Sequence, residues 1–339
     1  MEQYGTKPFV DRGSIPPRPT NVNPGDVGIL KSTILPSFAL HSGLSVTSYI
    51  ISRATDRGEG KDWLWPSSQV LNAWWSAIGT RMCHDNASFA DAWGDLSWTE
   101  KLLLGCVSVW GTRLFCRISK RSIKRGEDDP RYSELKTKDR NFWNSALYKQ
   151  YLPEAAFLTF ITLPFTLPFR LNRSTLSLEP EVSGLLRALG VGLFSTGLAM
   201  EVMADTQLEL HGRERSDLCR HGVWSIVRHP NYLGDTLVHC SFVLLNAANK
   251  FNPLVLLGPV ANYAFLRCVG GDKQTEASQE ERYSKRDEGK YQQLQAWRRE
   301  KNSFWPGLSE LANRWTWVVL GGGLVGVFVE EVVRGVFEE

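Results

Sequence analysis

Long apolar blocks separated by charged loops constrain this chain more than any other feature. A helix that crosses a bilayer needs about 20 mostly apolar residues, because lipid cannot hydrogen-bond the backbone. The blocks that approach this length lie at 29–51, 63–82, 98–118, 152–169, 182–204, 232–246, 253–269 and 315–333. The chain is therefore predicted to be all-α, a polytopic transmembrane helical bundle of about seven to eight spans with cytosolic cap segments.

Composition agrees with an integral membrane protein once it is read block by block. The mean hydropathy is only −0.23, but the polar first 25 residues and the arginine-rich loops lower that average. Several of the 13 tryptophans stand at the ends of apolar blocks, including Trp63, Trp98 and Trp315. Indole rings favour the interface between membrane and water, so these positions support the predicted spans.

The charges of the loops predict the orientation of the bundle. Residues 113–149 are rich in lysine and arginine, whereas 83–97 contains aspartates but neither basic residue. By the positive-inside rule the first loop faces the cytosol and the second faces the lumen. Counting spans forward places 205–231 and 270–314 on the cytosolic side as well. The predicted membrane is that of the endoplasmic reticulum.

Other patterns exclude several function classes. The net charge is +3 and the basic residues lie in loops, so no nucleic acid is expected as a partner. Gly190, Gly192 and the glycines of 321–326 lie inside apolar blocks and are interpreted as helix-packing residues, not as phosphate loops. The cysteines show no metal-ligand or disulfide spacing and are interpreted as packing thiols, so no metal is expected. They stand at Cys83, Cys106, Cys116, Cys219, Cys240 and Cys268.

A dense polar pentapeptide opens one of the apolar blocks, at Arg228-His229-Pro230-Asn231-Tyr232. Proline fixes the direction of the chain, and Asn231 is predicted to be the N-cap of the helix. The positive end of the helix and Arg228 then point at one spot, which suits a pyrophosphate or a 2′-phosphate. His229 and Tyr232 add donors or a stacking surface. The alternative is a helix start that is anchored at the membrane interface, with the arginine reaching lipid phosphates.

Two further segments are expected beside this pentapeptide. Asp205 and Gln207 continue the helix of 182–204 into the same cap, and Glu201 lies one turn earlier on the same face. Acids and amides at that depth can hold a ribose or a nicotinamide amide, although acids are also common at solvated helix ends. Arg282 and Tyr283 are predicted to close over a phosphorylated cofactor bound in this cap. Residues 285–290 are interpreted as a solvated helix.

Taken in order, these residues resemble the C-terminal region of the steroid 5α-reductase superfamily, most closely a less characterised branch with a 5α-reductase-like domain. Relatives include sterol C14 and C7 reductases and, more remotely, isoprenylcysteine carboxyl methyltransferases. The segments W-G-x-R-L at 110–114 and D-x-R-Y at 129–132 also resemble that branch. The matching positions further along are Ala204, Asp205, Gln207, Gly222, Trp224, Arg228, His229, Pro230, Asn231, Tyr232, Gly234, Asp235, Glu281, Arg282, Tyr283 and Pro306.

The resemblance implies a helical-bundle oxidoreductase that acts on CH–CH groups and binds NADPH from the cytosol. It would transfer a hydride to a carbon–carbon double bond of a lipophilic substrate, a sterol, a steroid or another terpenoid. The implied domain spans 26–306, after a flexible leader at 1–25 and before a C-terminal transmembrane helix and tail at 307–339. The implied cofactor contacts are Asp205, Gln207, Trp224, Arg228, His229, Asn231, Tyr232, Asp235, Arg282 and Tyr283.

The chain departs from the reductase pattern in two places. Leu208 stands where relatives often have a lysine, and His211 stands where they often have an aromatic residue three positions later, so one phosphate contact is either missing or supplied by Arg213 or Arg215. No convincing match exists for the glutamate and tyrosine that polarise the substrate ketone in steroid 5α-reductases. Gln69 and Asn72 are the nearest polar candidates, and both can instead hydrogen-bond between helices. The catalytic residues are therefore unassigned.

Two other functions stay open from the sequence. An isoprenylcysteine-type methyltransferase shares an R-H-P-x-Y segment but uses S-adenosylmethionine, and A-D-x-Q together with Asp235 favours the reductase instead. A lipid-binding membrane protein without catalytic activity would retain the bundle, and the missing substrate-polarising pair is compatible with it.

Overall fold

The computed structural model describes residues 27–170, 179–212, 217–249 and 251–338. Within these ranges the regular elements are helices and no strand occurs, which confirms the predicted all-α class. The predicted leader at 1–25 and the two arginines Arg213 and Arg215 lie outside the described residues.

The first half of the chain forms ten helices within the described ranges. Three of the junctions are π-helical turns, at Leu30–Ile34, Trp75–Gly79 and Leu147–Tyr151, and they join α1 to α2, α3 to α4 and α8 to α9 without a break. The helices are α1 (Val27–Ile29), α2 (Leu35–Thr55), α3 (Gly60–Trp74), α4 (Thr80–His84), α5 (Phe89–Gly94), α6 (Trp98–Arg125), α7 (Pro130–Lys138), α8 (Phe142–Ala146), α9 (Leu152–Ile161) and α10 (Leu167–Arg170).

The second half alternates long helices with short 3₁₀ turns. These turns lie at Gly222–Ser225, Pro253–Leu256 and Leu308–Ala312, and a further one at Leu163–Phe165 precedes α10. The helices are α11 (Pro180–His211), α12 (Pro230–Asn249), α13 (Leu257–Cys268), α14 (Asp272–Arg286), α15 (Glu288–Glu300) and α16 (Arg314–Glu338).

Five helical segments of the described chain are long and apolar enough to cross a membrane. They are Leu30–Thr55, Trp98–Arg125, Pro180–His211, Pro253–Arg286 and Arg314–Phe337. These five agree with predicted spans, so the protein is an integral membrane helical bundle.

The other three predicted spans are helical but do not meet the same criterion of length and apolar composition. The block at 63–82 lies in α3 and α4, and the block at 152–169 is interrupted by a 3₁₀ turn between α9 and α10. The block at 232–246 lies in α12, which buries Asp235, His239 and Asn246. About seven to eight spans were predicted from apolar block length; five meet the stricter criterion.

Contacts between distant segments of the chain identify the two ends of the bundle. At one end, Trp98 Nε1 donates to Glu330 Oε1 at 2.8 Å, which places the start of α6 beside the end of α16. At the other end, the backbone N–H of Gly58 donates to Asp128 at 3.0 Å, and Lys138 Nζ pairs with Glu281 at 3.1 Å. We call this second end the polar cap, formed by the described residues of 56–62, 126–139, 205–229 and 271–303. The two segments predicted to share a side, 205–231 and 270–314, both contribute to it.

Glycines allow α11, α12 and α16 to pack closely. A Cβ at Gly197 would lie 2.6 Å from the carbonyl oxygen of Gly234, and one at Gly234 would lie 2.7 Å from that of Gly197. A Cβ at Gly323 of α16 would lie 2.3 Å from Thr196 Oγ1. These distances are shorter than a Cβ tolerates, and a Cβ at Gly326 would lie equally close to Ser195, so the predicted packing role is confirmed for Gly323 and Gly326, whereas a Cβ at Gly321 would meet no atom within 4 Å.

Candidate functional site

The R-H-P-N-Y segment opens α12, but its cap differs from the prediction. Pro230 is the first residue of the helix, where its missing N–H is harmless, and the carbonyl of His229 accepts from the N–H groups of Tyr232 and Leu233 at 3.2 Å. The prediction that Asn231 is the N-cap is wrong, because Asn231 lies inside the first turn. Its Oδ1 atom is buried and finds no hydrogen-bond partner among the described residues.

Arg228 is held by the protein on every side of its guanidinium. Nε and Nη2 donate to the two carboxylate oxygens of Glu276 at 2.9 and 3.1 Å, and Nη1 donates to the carbonyl of Lys301. The backbone N–H groups of Arg228 and His229 donate to the carbonyls of Asn302 and Ser303, each at 3.0 Å. The segment is thereby fixed to the end of α15, and a phosphate would have to displace Glu276 to reach this arginine.

Glu276 of α14 joins three basic side chains. Besides Arg228, it binds His229 Nε2 at 2.9 Å and Arg298 Nε at 3.0 Å. Burial lowers the pKa of His229 and the Glu276 carboxylate opposes that effect, so the ring is neutral near pH 7 and donates its Nε2–H. The sequence singled out Glu281 to Tyr283 in this helix and missed Glu276, which looks like one more acid in a charged run.

Tyr232 connects the pentapeptide to α14. Its hydroxyl lies 3.2 Å from Thr275 Oγ1, and its ring stacks on His229 with centroids 5.4 Å apart. Two polar stretches that are far apart in the sequence therefore meet in the cap.

Gln207 and Trp224 shape the loop before α12. Gln207 Oε1 accepts from the backbone N–H of Val223 at 2.9 Å, and Trp224 Nε1 donates to the carbonyl of Ala204 at 3.0 Å. Gly222 has φ +66°, and a Cβ there would lie 2.2 Å from Gln207 Oε1. The loop therefore requires glycine at this position, and both predicted contacts are engaged in holding it against the end of α11.

Asp205 and Glu201 share one face of α11, as predicted from helical spacing. Arg113 of the W-G-x-R-L segment spans both carboxylates, with Nη1 at 2.8 Å from Asp205 Oδ2 and Nη2 bonded to Glu201 Oε2. Glu201 is buried, so it is not a solvated helix end. Its second oxygen, Oε1, has no partner in the part of the chain that the structure describes.

The D-x-R-Y segment forms a second charged group in the cap. Asp129 caps α7, while Arg131 Nη2 and the Tyr132 hydroxyl both donate to Asp62, at 2.9 and 2.5 Å. Burial raises the pKa of Tyr132 well above its usual value and Asp62 raises it further, so the hydroxyl stays protonated. Arg131 also interacts electrostatically with Tyr232, which places this group beside the pentapeptide.

A buried polar group lies one turn below the pentapeptide. Asp235 Oδ2 accepts from Asn262 Nδ2 of α13 at 2.9 Å, and His239 Nε2 lies 4.0 Å from the same oxygen. The His239 ring meets Trp110 edge to face with centroids 5.0 Å apart. Within the described ranges, Asp235 Oδ1, Asn262 Oδ1 and both ring nitrogens of His239 are buried without hydrogen-bond partners. We call Asp235, His239 and Asn262 the unpaired cluster.

Sequence reasoning found only Asp235 of this cluster. The signal for His239 was its spacing of four residues from Asp235 on one helical face inside an apolar block. Ionisable groups inside a bundle of this kind mark functional positions by default, because burying them costs free energy.

Arg282 and Tyr283 lie in the second half of α14 and interact with each other there. Arg282 Nε donates to the carbonyl of Ser278 at 3.2 Å, and its guanidinium lies 5.9 Å from the centroid of the Tyr283 ring. The structure does not bring them into contact with Asp205 or Arg228.

Asn72 links helices, as one of its two interpretations predicted. Its Nδ2 lies 3.1 Å from His41 Nε2 and donates to Thr162 Oγ1 at 3.2 Å. Gln69 donates to the carbonyl of Trp65 in its own helix.

An open depression of about 430 Å³ borders the cap between the 3₁₀ turn at Gly222–Ser225 and α15. None of the predicted cofactor contacts lines it. Its lining residues are Arg220, Ser225, Trp297, Glu300, Lys301 and Asn313.

The chain belongs to the DUF1295 family. The model of this family, described as a protein of unknown function, matches residues 48–297, from within α2 to within α15. The matched part contains every predicted cofactor contact. No curated protein and no solved structure matches the chain.

Proposed function

We propose that this DUF1295 member is a reductase of the endoplasmic reticulum membrane that uses NADPH to reduce a carbon–carbon double bond of a sterol, a steroid or another terpenoid. Support comes from the ordered motifs that resemble the steroid 5α-reductase superfamily, all of which fall inside the matched region except Pro306. The family description itself names no activity, so substrate and cofactor rest on this resemblance and on the site.

One observation carries the proposal: the polar cap lies directly over the unpaired cluster. Tyr232 and His229 hold the cap to Thr275 and Glu276, and Asp235 follows Tyr232 by less than one turn of α12. A nucleotide in the cap would thus stand beside a buried polar group within an apolar bundle, where a lipophilic substrate has to react.

The buried acceptor atoms fit part of NADPH. Its ribose hydroxyls and carboxamide need acceptors, and Glu201 Oε1, Asn231 Oδ1 and Asp235 Oδ1 are three buried oxygens without partners among the described residues. Arg228 and His229 would hold phosphate oxygens, and Arg228 would exchange its contact with Glu276 for the phosphate. When bound, NADPH would supply the hydride, and the proton that completes the saturated product would come from solvent.

Within the unpaired cluster, His239 would serve the substrate. A neutral imidazole keeps one N–H, and His239, held near Asp235, can donate it to a carbonyl that is conjugated with the double bond. The apolar rings around His239 exclude water, which strengthens that hydrogen bond.

The test uses the purified full-length protein in lipid nanodiscs. We expect saturable NADPH binding by calorimetry and oxidation of NADPH when an enone-bearing sterol is added, with the saturated product found by mass spectrometry. His239→Leu should keep NADPH binding and lose most of the turnover. A folded protein that binds no NADPH would refute the proposal, and binding of S-adenosylmethionine instead would establish the methyltransferase.

One observation favours a second candidate, a lipid-binding protein without catalytic activity. Each nitrogen of the Arg228 guanidinium already donates to a protein acceptor, so this arginine needs no nucleotide to be paired. Binding of sterol without any binding of NADPH would support this candidate.

A further inference from the structure

Three potential metal ligands meet where α11 ends and the loop toward Gly222 begins. His211, Cys219 and His221 each offer one ligand atom, and these atoms lie within 4.8 Å of one another. His211 and Cys219 are buried, whereas His221 is exposed. The spacing, seven residues and then one, matches no common zinc motif, which explains why the sequence predicted no metal here.

His211 has a nitrogen that is prepared to bind a cation. Its Nε2 lies 3.0 Å from the carbonyl oxygen of Asp217, and a carbonyl only accepts, so Nε2 carries the proton. Nδ1 is then an unprotonated acceptor, and it is buried without a partner among the described residues, in a side chain that is only 4% exposed. Histidines that bind metals commonly donate the other ring N–H to a backbone carbonyl in this way.

Cys219 is the second buried ligand. Burial raises the pKa of its thiol and the backbone N–H of His221 acts in the opposite direction, so without a cation the group is a neutral thiol. A bound cation reverses this, because a coordinating thiol is deprotonated outright. The loop places its neighbour His221 on the same side, with the ring centroid 5.5 Å from that of His211.

We propose that His211 Nδ1, Cys219 Sγ and one ring nitrogen of His221 bind a zinc ion, with a water as the fourth ligand. Two imidazoles and a thiolate are a typical ligand set for zinc. As the zinc–sulfur bond forms, the S–H bond breaks and its proton passes to water, so no oxidant is required. The exposure of His221 leaves one side of the site open to that water.

The position of the site indicates that the zinc would hold two parts of the chain together, with its water position left open, whereas purely structural zinc sites are usually closed by four protein ligands. The site links the end of α11, which carries Asp205 and Gln207, to the loop that continues through Gly222 and Trp224 into the pentapeptide. A metal there would hold the end of α11 to this loop and so reinforce the hydrogen bonds of Gln207, Trp224 and His211 that already join them.

The test measures metal content and needs no enzymatic activity, so it is independent of the proposed reductase. Full-length protein is purified with a tag that contains no histidine, dialysed against a chelator and then against zinc, and analysed by elemental mass spectrometry. We expect about one zinc per chain for the wild type. Cobalt in place of zinc should give a thiolate-to-cobalt charge-transfer band and the visible bands of tetrahedral cobalt.

Variants separate a built site from adventitious binding. Cys219→Ser and His221→Asn should lose the zinc and the charge-transfer band, whereas the control Cys268→Ser, at an exposed cysteine, should keep both. Zinc should raise the melting temperature of the wild type but not that of Cys219→Ser. Because His221 is exposed, His221→Asn tests the site even if Cys219→Ser folds poorly. Equal zinc content in all variants, or none in the wild type, would overturn the proposal.

Discussion

The polar cap and the unpaired cluster lie next to each other, but they differ in whether their buried polar groups have partners. In the cap, Glu276 contacts Arg228, Arg298 and the neutral ring of His229, so the carboxylate and both guanidinium groups have partners. One turn below, Asp235 and His239 keep polar atoms without partners among the described residues. Removing one member of a satisfied buried network destabilises a protein, whereas groups left unsatisfied already carry that cost and are candidates for contact with a ligand.

Glu276→Ala tests the paired network of the cap and should have the largest effect on stability. It leaves three basic side chains without their carboxylate, and we expect the free energy of unfolding to fall by about 3 to 5 kcal/mol, the range for breaking a buried ion pair. Thermal unfolding in detergent, followed by circular dichroism, measures it. Glu281→Ala is the matched control, because Glu281 lies in the same helix with exposed partners and should unfold like the wild type. Equal melting temperatures for the two variants would contradict the assigned role of Glu276.

Gly222→Ala tests whether the packing of the loop before α12 also stabilises the polar cap. The positive φ and the close approach of Gln207 should together cost about 2 kcal/mol. Gly126→Ala is the control, since Gly126 also has a positive φ, +73°, but open space around it. We expect the control to lose less stability, and a loss as large as that of Gly222→Ala would show that Gln207 simply moves aside.

Asp235→Asn addresses the unpaired cluster. The hydrogen bond to Asn262 can be retained, so the stability should change by less than about 1 kcal/mol. Because Asp235 Oδ1 would accept from NADPH, NADPH affinity should fall about tenfold, equivalent to about 1.4 kcal/mol. Calorimetric titration of both proteins measures this. A stability loss similar to that of Glu276→Ala would mean that the cluster holds the fold together as the cap does.

The smallest effect concerns pH. The folded protein holds the pKa of His229 below its usual value of 6.5, so the unfolded chain binds the proton more readily. The contribution of a neutral His229 to the free energy of unfolding is therefore fully present above about pH 6.5 and is lost as the pH falls below that value. His229→Gln should flatten the fall in melting temperature between neutral and mildly acidic pH. An unchanged slope would mean that His229 is already charged in the fold.

The sequence predicted features that follow from local pattern. Apolar block length gave the helices, and the period of 3.6 residues correctly placed Glu201 and Asp205 on one face. The N-cap of α12 was predicted wrongly. Asn231 was selected because its side chain suits an N-cap, but Pro230 occupies the first helical position and so places Asn231 inside the helix.

Partners across the fold could not be read from the sequence. A helical period says which residues share a face but not which other face they meet. Glu276, Asn262 and Asp62 acquire their roles only when α14, α13 and α3 pack against their neighbours. The same limit applies to His211 and Cys219, whose ligand atoms come close together only in the folded chain.

The backbone contact between Gly197 and Gly234 also restricts how a lipid can reach Asp235. Because α11 and α12 touch through main-chain atoms at Gly197 and Gly234, a lipid cannot enter between them unless the two helices move apart. On the other side of Asp235, α13 is held by the side chain of Asn262, which a single rotamer change can swing away. Of the two contacts beside Asp235, the one between α12 and α13 is therefore the easier for a lipid to part.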